Sequence, residues 1–209
     1  MSSIWRLDSP FMQKMTSITN LMILNILWII CSLPIITMGA ATTAMYSVLF
    51  AYRRKETDSV FKPFFVAFKQ NFLRSTLCWL ILLVLGVALA YDAILLIYGA
   101  EFQLFLCIPV IIVAVLVAIT GVYMFPQIAM FDNKPWAMVK NGFLLFLLYP
   151  FQSIAIIILV FLPLILFLFI PQVFWLTFII WVLIGFSLCA SLNSFLLVKI
   201  FDRYIPKAE

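Results

Sequence analysis

From Met15 to Tyr52 the chain carries no charged residue, a stretch about twice the ~20 residues that one helical crossing of a bilayer needs. Two short helices must share it. Pro34 ends the first by withholding a backbone donor and Gly39 stands where the chain re-enters, so 33–38 is predicted to be a tight turn. Further apolar runs follow at about 75–98, 102–125, 151–170 and 172–199, with Pro171 dividing the last two. These runs are continuous rather than alternating, which selects helices over barrel strands. In hydrocarbon only those two structures satisfy every backbone donor and acceptor. The pattern therefore predicts an all-α membrane protein of about six transmembrane helices in a single domain, arranged as hairpins over about 15–53, 75–130 and 151–199.

Between the apolar runs the pattern changes to an amphipathic one. Phe61, Phe64, Phe65, Phe68 and Phe72 recur at helical spacing while Lys62 and Lys69 share another face, which predicts an elbow helix over about 60–73 lying on the inner leaflet, aromatics down. A related segment over about 133–147 aligns Val139-Lys140 with Phe68-Lys69 and Phe143-Leu144 with Phe72-Leu73, and carries Asn141 beside Lys140. A fainter version occupies about 8–18. The chain thus reads as three units of elbow plus hairpin, related by parallel pseudo-repetition. Such an elbow either anchors the next span at the interface or offers a docking surface to a cytoplasmic or membrane partner.

Composition strengthens the membrane reading: 67% of the 209 residues are hydrophobic, 10% are charged, and the mean hydropathy is +1.22. Charge then orients it. With six spans and the N-terminus inside, all 13 Lys and Arg fall on one side, as expected for short loops held on the cytoplasmic side. Both ends are expected in the cytoplasm. Arg6 and Lys14 before an apolar run imitate a signal peptide, but the uncharged sequence continues to Tyr52, so the first hairpin is expected to remain. The net charge of +5 is spread along membrane edges, which suits anionic lipid headgroups and argues against nucleic acid as a partner.

Candidate chemistry is sparse. Histidine is absent, and no phosphate loop, zinc motif or Ser-His-Asp set occurs. Cys31, Cys78, Cys107 and Cys189 stand apart within apolar runs, as small hydrophobes do. No enzyme, cofactor or metal site is expected. Asp92 is the one ionisable residue within a predicted span, placed either at the outer interface or in an ion-handling role. Small and polar residues are more telling, because helices in lipid associate through close backbone approach and interhelical hydrogen bonds. Ala40, Thr43, Ala44 and Ser47 form such a stripe on the second span; Ser187, Ala190, Ser191 and Ser194 form one on the sixth. The two are expected to meet, with Asn25 of the first span nearby and the bulky fifth span facing lipid or a partner.

Asn25-Ile-Leu-Trp28 and Cys31-Ser32-Leu33-Pro34-Ile-Ile-Thr37-Met-Gly39-Ala40-Ala41-Thr42-Thr43-Ala44 resemble the opening hairpin of the YesL-like family of bacterial membrane proteins. The aromatic elbow from Phe61 to Asn71, the stretch from Phe125-Pro126 to Phe131-Asp132, and Lys140-Asn141 extend the resemblance over nearly the whole chain. The resemblance implies a bacterial cell membrane and a setting beside carbohydrate ABC importers. On that basis the chain is expected to be a non-catalytic accessory subunit bound beside the permease of a sugar importer. The alternative is an autonomous small-solute transporter or channel, which usually requires broken helices with polar groups near the midplane. Here Pro34 and Pro171 lie at span ends, and Pro163 alone is expected to interrupt a span.

Overall fold

A computed structural model describes residues 10–98 and 104–204. Among these residues there are helices and no strands, as continuous apolar runs require. In order, α1 spans Pro10–Ser32, α2 Met38–Arg53, α3 Phe61–Tyr98, α4 Leu104–Met130, α5 Pro135–Leu148 and α6 Pro150–Phe169. The last predicted span is interrupted: α7 (Pro171–Leu176) and α8 (Phe178–Ile180) lead through a π-helical stretch, Trp181–Gly185, into α9 (Phe186–Phe201). Among the described residues six helical stretches are long and apolar enough to cross a membrane.

Prolines open the later helices α5, α6 and α7. Pro135, Pro150 and Pro171 stand at the first helical positions of α5, α6 and α7, where the missing N–H would have had no partner. Pro109, Pro126 and Pro163 lie inside helices. The fourth span was expected to stop near 125. Instead α4 runs through Pro126 to Met130, because only one backbone bond is lost there and the turn is packed on both sides.

The elbows differ from expectation in an instructive way. No breaker separates Phe72 from Ser75, so the predicted elbow over 60–73 and the span after it are one continuous helix, α3. The segment over 8–18 likewise runs into α1 wherever it is described. Only α5 is a separate helix, divided from α6 at Tyr149 by Pro150. Nor do the aromatics of α3 lie down on lipid. Phe64 is fully buried in the main core, with Phe65 and Phe68 packed against it and only Phe61 and Phe72 exposed. Burial of this face against the bundle outcompetes the interface because the same chain supplies the apolar core that Phe64 joins, with Val60 and residues of α2 such as Leu49 among its members.

The core gathers where α2 packs against α1, α3, α4 and α9. Ala40, Ala41, Thr43 and Ala44 are fully enclosed, as small residues on a central helix allow. Gly39 permits the closest approach: a Cβ there would lie 2.5 Å from the Trp79 Cβ and 2.6 Å from the Ser75 carbonyl oxygen. Trp79 Nε1 also donates to the Ile35 carbonyl at 2.7 Å, fixing the α1–α2 turn against α3. Thr37 closes that turn with its hydroxyl on the Cys31 and Pro34 carbonyls, at 2.6 and 2.8 Å, while Pro34 itself is exposed.

From Trp79 to Tyr98 α3 continues for nineteen more residues, roughly 28 Å. None of its most apolar 18-residue window is buried, and α4 is mostly uncovered until Ile119. The described part of the α3–α4 hairpin that lies beyond Trp79 and before Ile119, its outer half in the expected orientation, therefore stands free of the other described helices. The fifth span, α6, buries only Ser153 and Ile156, as its bulky sequence implies.

Candidate functional site

The start of α1 and the ends of α2, α4 and α9 meet at one end of the bundle. Ser17 Oγ and Tyr52 Oη are 2.9 Å apart, Arg54 pairs with Asp202 at 2.7 Å, and the Phe131 ring packs edge-on against Phe201. Arg74 pairs with Asp132 just past α4, at 2.8 Å. Arg203 donates to the Tyr149 hydroxyl at 3.3 Å. The hydrogen bond from Tyr204, then that from Arg203, holds the Tyr149 phenol below its usual pKa.

The two small-residue stripes come together here only in part. Arg54 reaches Asp202 and Phe50 packs edge-on against Phe201, so the C-terminal ends of α2 and α9 lie side by side and the two helices run parallel. Thr43 turns instead to α3, sharing a 2.8 Å hydrogen bond with Ser75, and Ser47 bonds back to the Thr43 carbonyl at 3.0 Å. The hydroxyl ladder of α9 is met by Arg53, a residue with no place in the predicted stripe. Its Nε donates to Ser194 Oγ at 2.6 Å, and its Nη2 reaches the Ser191 carbonyl and, at 3.3 Å, the Ser191 hydroxyl. The guanidinium also lies 5.4 Å from the centroid of the Phe195 ring. As the first charge after a long uncharged run, Arg53 was visible in the sequence; its direction was not, since a long side chain folds back along either neighbour.

Asn25 acts at a site that sequence periodicity does not show. A π-helical turn leaves backbone groups of the sixth span without i→i+4 partners, and the fully buried Asn25 amide fills the gap from α1. Its Nδ2 donates to the Val182 and Trp181 carbonyls at 2.7 and 3.1 Å, and its Oδ1 accepts from the Ser187 N–H at 2.8 Å. The Ser187 hydroxyl returns a bond to the Leu21 carbonyl at 2.8 Å. Gly185 belongs to the same device, since a Cβ there would lie 2.4 Å from the Trp181 ring.

Other predicted residues lie apart. Lys69 and Lys140 are exposed; Asn141 is half-buried on a cavity of about 400 Å³ between α4, α5 and the end of α9. Asp92 is exposed on the free half of α3, eighteen residues beyond Arg74 and about 27 Å along the axis, close to the ~30 Å thickness of a hydrocarbon core. Sequence reasoning missed Tyr123, whose hydroxyl lies 2.5 Å from Ser153 Oγ, and Gln127, which donates to the Met138 carbonyl at 3.3 Å. Both tie α4 to its neighbours. At membrane depth an apolar cleft of about 290 Å³ opens between α2, α3, α4 and α6, lined by Thr42, Tyr46, Trp79, Phe125 and Val160 among others.

Among the described residues, no cluster of His, Cys, Asp and Glu has metal-binding geometry. The fold and these contacts define a polytopic α-helical membrane bundle whose internal polar groups mostly serve helix packing. Over residues 21–93 the chain matches the family model described as Protein of unknown function, DUF624, the family that includes the YesL-like proteins. No curated protein and no solved structure matches the chain.

Proposed function

We propose that the chain is a non-catalytic accessory subunit of a bacterial carbohydrate ABC importer, seated in the cell membrane beside the permease with both ends in the cytoplasm. The observation that carries this reading is the free outer half of the α3–α4 hairpin, with the scarcely buried α6, which together offer long apolar flanks that this chain does not cover. A partner's transmembrane helices fit such flanks, and the adjacent apolar cleft lined by Trp79 and Phe125 would take their side chains. The distribution of basic residues supports the orientation. The link to sugar import comes from the YesL-like resemblance and is an analogy of setting.

The interior supports an assisting role over a conducting one. A transporter uses helix breaks to present free backbone groups to its cargo. Here the break in the sixth span is closed by Asn25, and Thr43, Tyr123 and Gln127 have partners within the bundle. The test is purification of the tagged chain from its native membrane in mild detergent, with identification of what accompanies it. Recovery of a sugar permease with its ATPase supports the proposal. A lone chain or homo-oligomer that moves solute into liposomes overturns it in favour of an autonomous transporter or channel.

A further inference from the structure

A cavity of about 1150 Å³ opens at the charged end between the start of α1, the end of α2 and the end of α9. Among the described residues three cationic side chains line it, Arg53, Lys55 and Lys199, against one acidic residue, Asp58. Hydroxyls of Thr16, Ser17, Tyr52 and Thr57 complete the polar wall, and Phe195 and Val198 supply an apolar one. The two ion pairs formed among the described residues use Arg54 and Arg74. The half-buried Arg53 guanidinium is thus anchored by neutral oxygens and a ring, with no carboxylate of the described residues in salt-bridge contact. A cation removed from water in this way attracts an anion.

The backbone points the same way. Lys55 has φ 59°, the one positive φ at a non-glycine residue among those described. It follows the end of α2, where glycine is the usual occupant and any other residue costs about 1–2 kcal/mol. Retaining lysine there keeps a third positive charge on the cavity rim.

We propose that this cavity is a phosphate-binding site, in which the Arg53 guanidinium, fixed by Ser191 and Ser194, is the central contact and Lys55 and Lys199 close over the anion. Its volume exceeds that of a phosphate alone and accommodates a phosphorylated headgroup or a small phosphorylated solute. Basic pockets between helices at the cytoplasmic face are where anionic headgroups bind. The proposal does not depend on the importer assignment.

The test uses the full chain purified in a neutral maltoside detergent, with equilibrium binding of phosphatidylglycerol and of phosphatidylcholine measured in mixed micelles, and inorganic phosphate as a soluble competitor at constant ionic strength. Phosphatidylglycerol should bind at least tenfold tighter than phosphatidylcholine. The double variant Lys55→Gln/Lys199→Gln should lose at least tenfold in affinity, whereas Lys62→Gln/Lys69→Gln, which removes the same charge elsewhere, should change it less than twofold. Lys55→Arg/Lys199→Arg should retain binding, which separates a lost contact from a lost fold. Displacement by millimolar inorganic phosphate would identify a soluble phosphate compound as the ligand; binding of phosphatidylglycerol without displacement would identify a lipid headgroup. Equal binding of the two lipids with no binding of inorganic phosphate, or equal weakening by the two double variants, overturns the proposal.

Discussion

Asn25 shows how one side chain can decide the shape of a span 156 to 162 residues away in sequence but adjacent in space. The amide is placed to donate and to accept at the same break, so an apolar replacement strands two carbonyls and one N–H in a dry core. Each stranded group costs about 1–3 kcal/mol, although membrane helices recover part of that by local rearrangement. Asn25→Leu is expected to destabilise the chain by about 2 kcal/mol, read as a lower midpoint of thermal unfolding in detergent. An unchanged midpoint would show that the sixth span keeps its π-helical turn without help. Gly39 sets the opposite kind of limit. Gly39→Ala places a methyl 2.5 Å from the Trp79 Cβ and 2.6 Å from a backbone oxygen, so α2 must move away from α3 at a cost of about 1–3 kcal/mol. The same unfolding measurement checks it.

At the scale of elements, small residues were legible as an interface, but their partner was not. Gly39 and Thr43 proved to face α3, while Ser191 and Ser194 proved to receive Arg53. A stripe states that something approaches closely; it carries no information about which helix does so, because any neighbour with a small residue fits. Register is a property of the pair. With α2 and α9 parallel and Arg54 paired to Asp202, Ala44 and Ser191 fall at similar depths on packed helices. In a chain whose four native cysteines are replaced by alanine, Ala44→Cys/Ser191→Cys is expected to form an intramolecular crosslink under mild oxidation, visible as faster migration on a non-reducing gel. Ala44→Cys/Leu188→Cys, one turn off and pointing outward, should not. The elbows teach a related lesson. Phenylalanines at helical spacing mark an apolar face, and lipid and protein core are alike to that face; only the core built by the same chain, with Val60 and Leu49 among its members, made the bundle its destination.

For the whole molecule, the prediction concerns orientation. The proposed arrangement places the α1–α2 turn outside and the α2–α3 connection inside. In the same cysteine-free background, Ile36→Cys in intact cells is expected to react with a membrane-impermeant maleimide, and Glu56→Cys only after the cells are opened. The reverse pattern would invert the topology and with it the side from which the phosphate cavity is reached. A molecule of this shape, with a compact charged end and a hairpin that outruns its own packing, has apolar surface for lipid or for another protein in the same plane.

The continuous apolar runs determined by themselves that this is a helical membrane protein of six spans, because backbone satisfaction in hydrocarbon is a local requirement read directly from the chain. The pairing of Asn25 with a widened turn, the joining of the second elbow to its span, the free outer half of α3 and the cavity around Arg53 were decided by tertiary structure. Each depends on which helices stand side by side. Between helices in lipid that choice rests on packing and on a few hydrogen bonds between residues far apart in the sequence, and neither leaves a periodic trace along it.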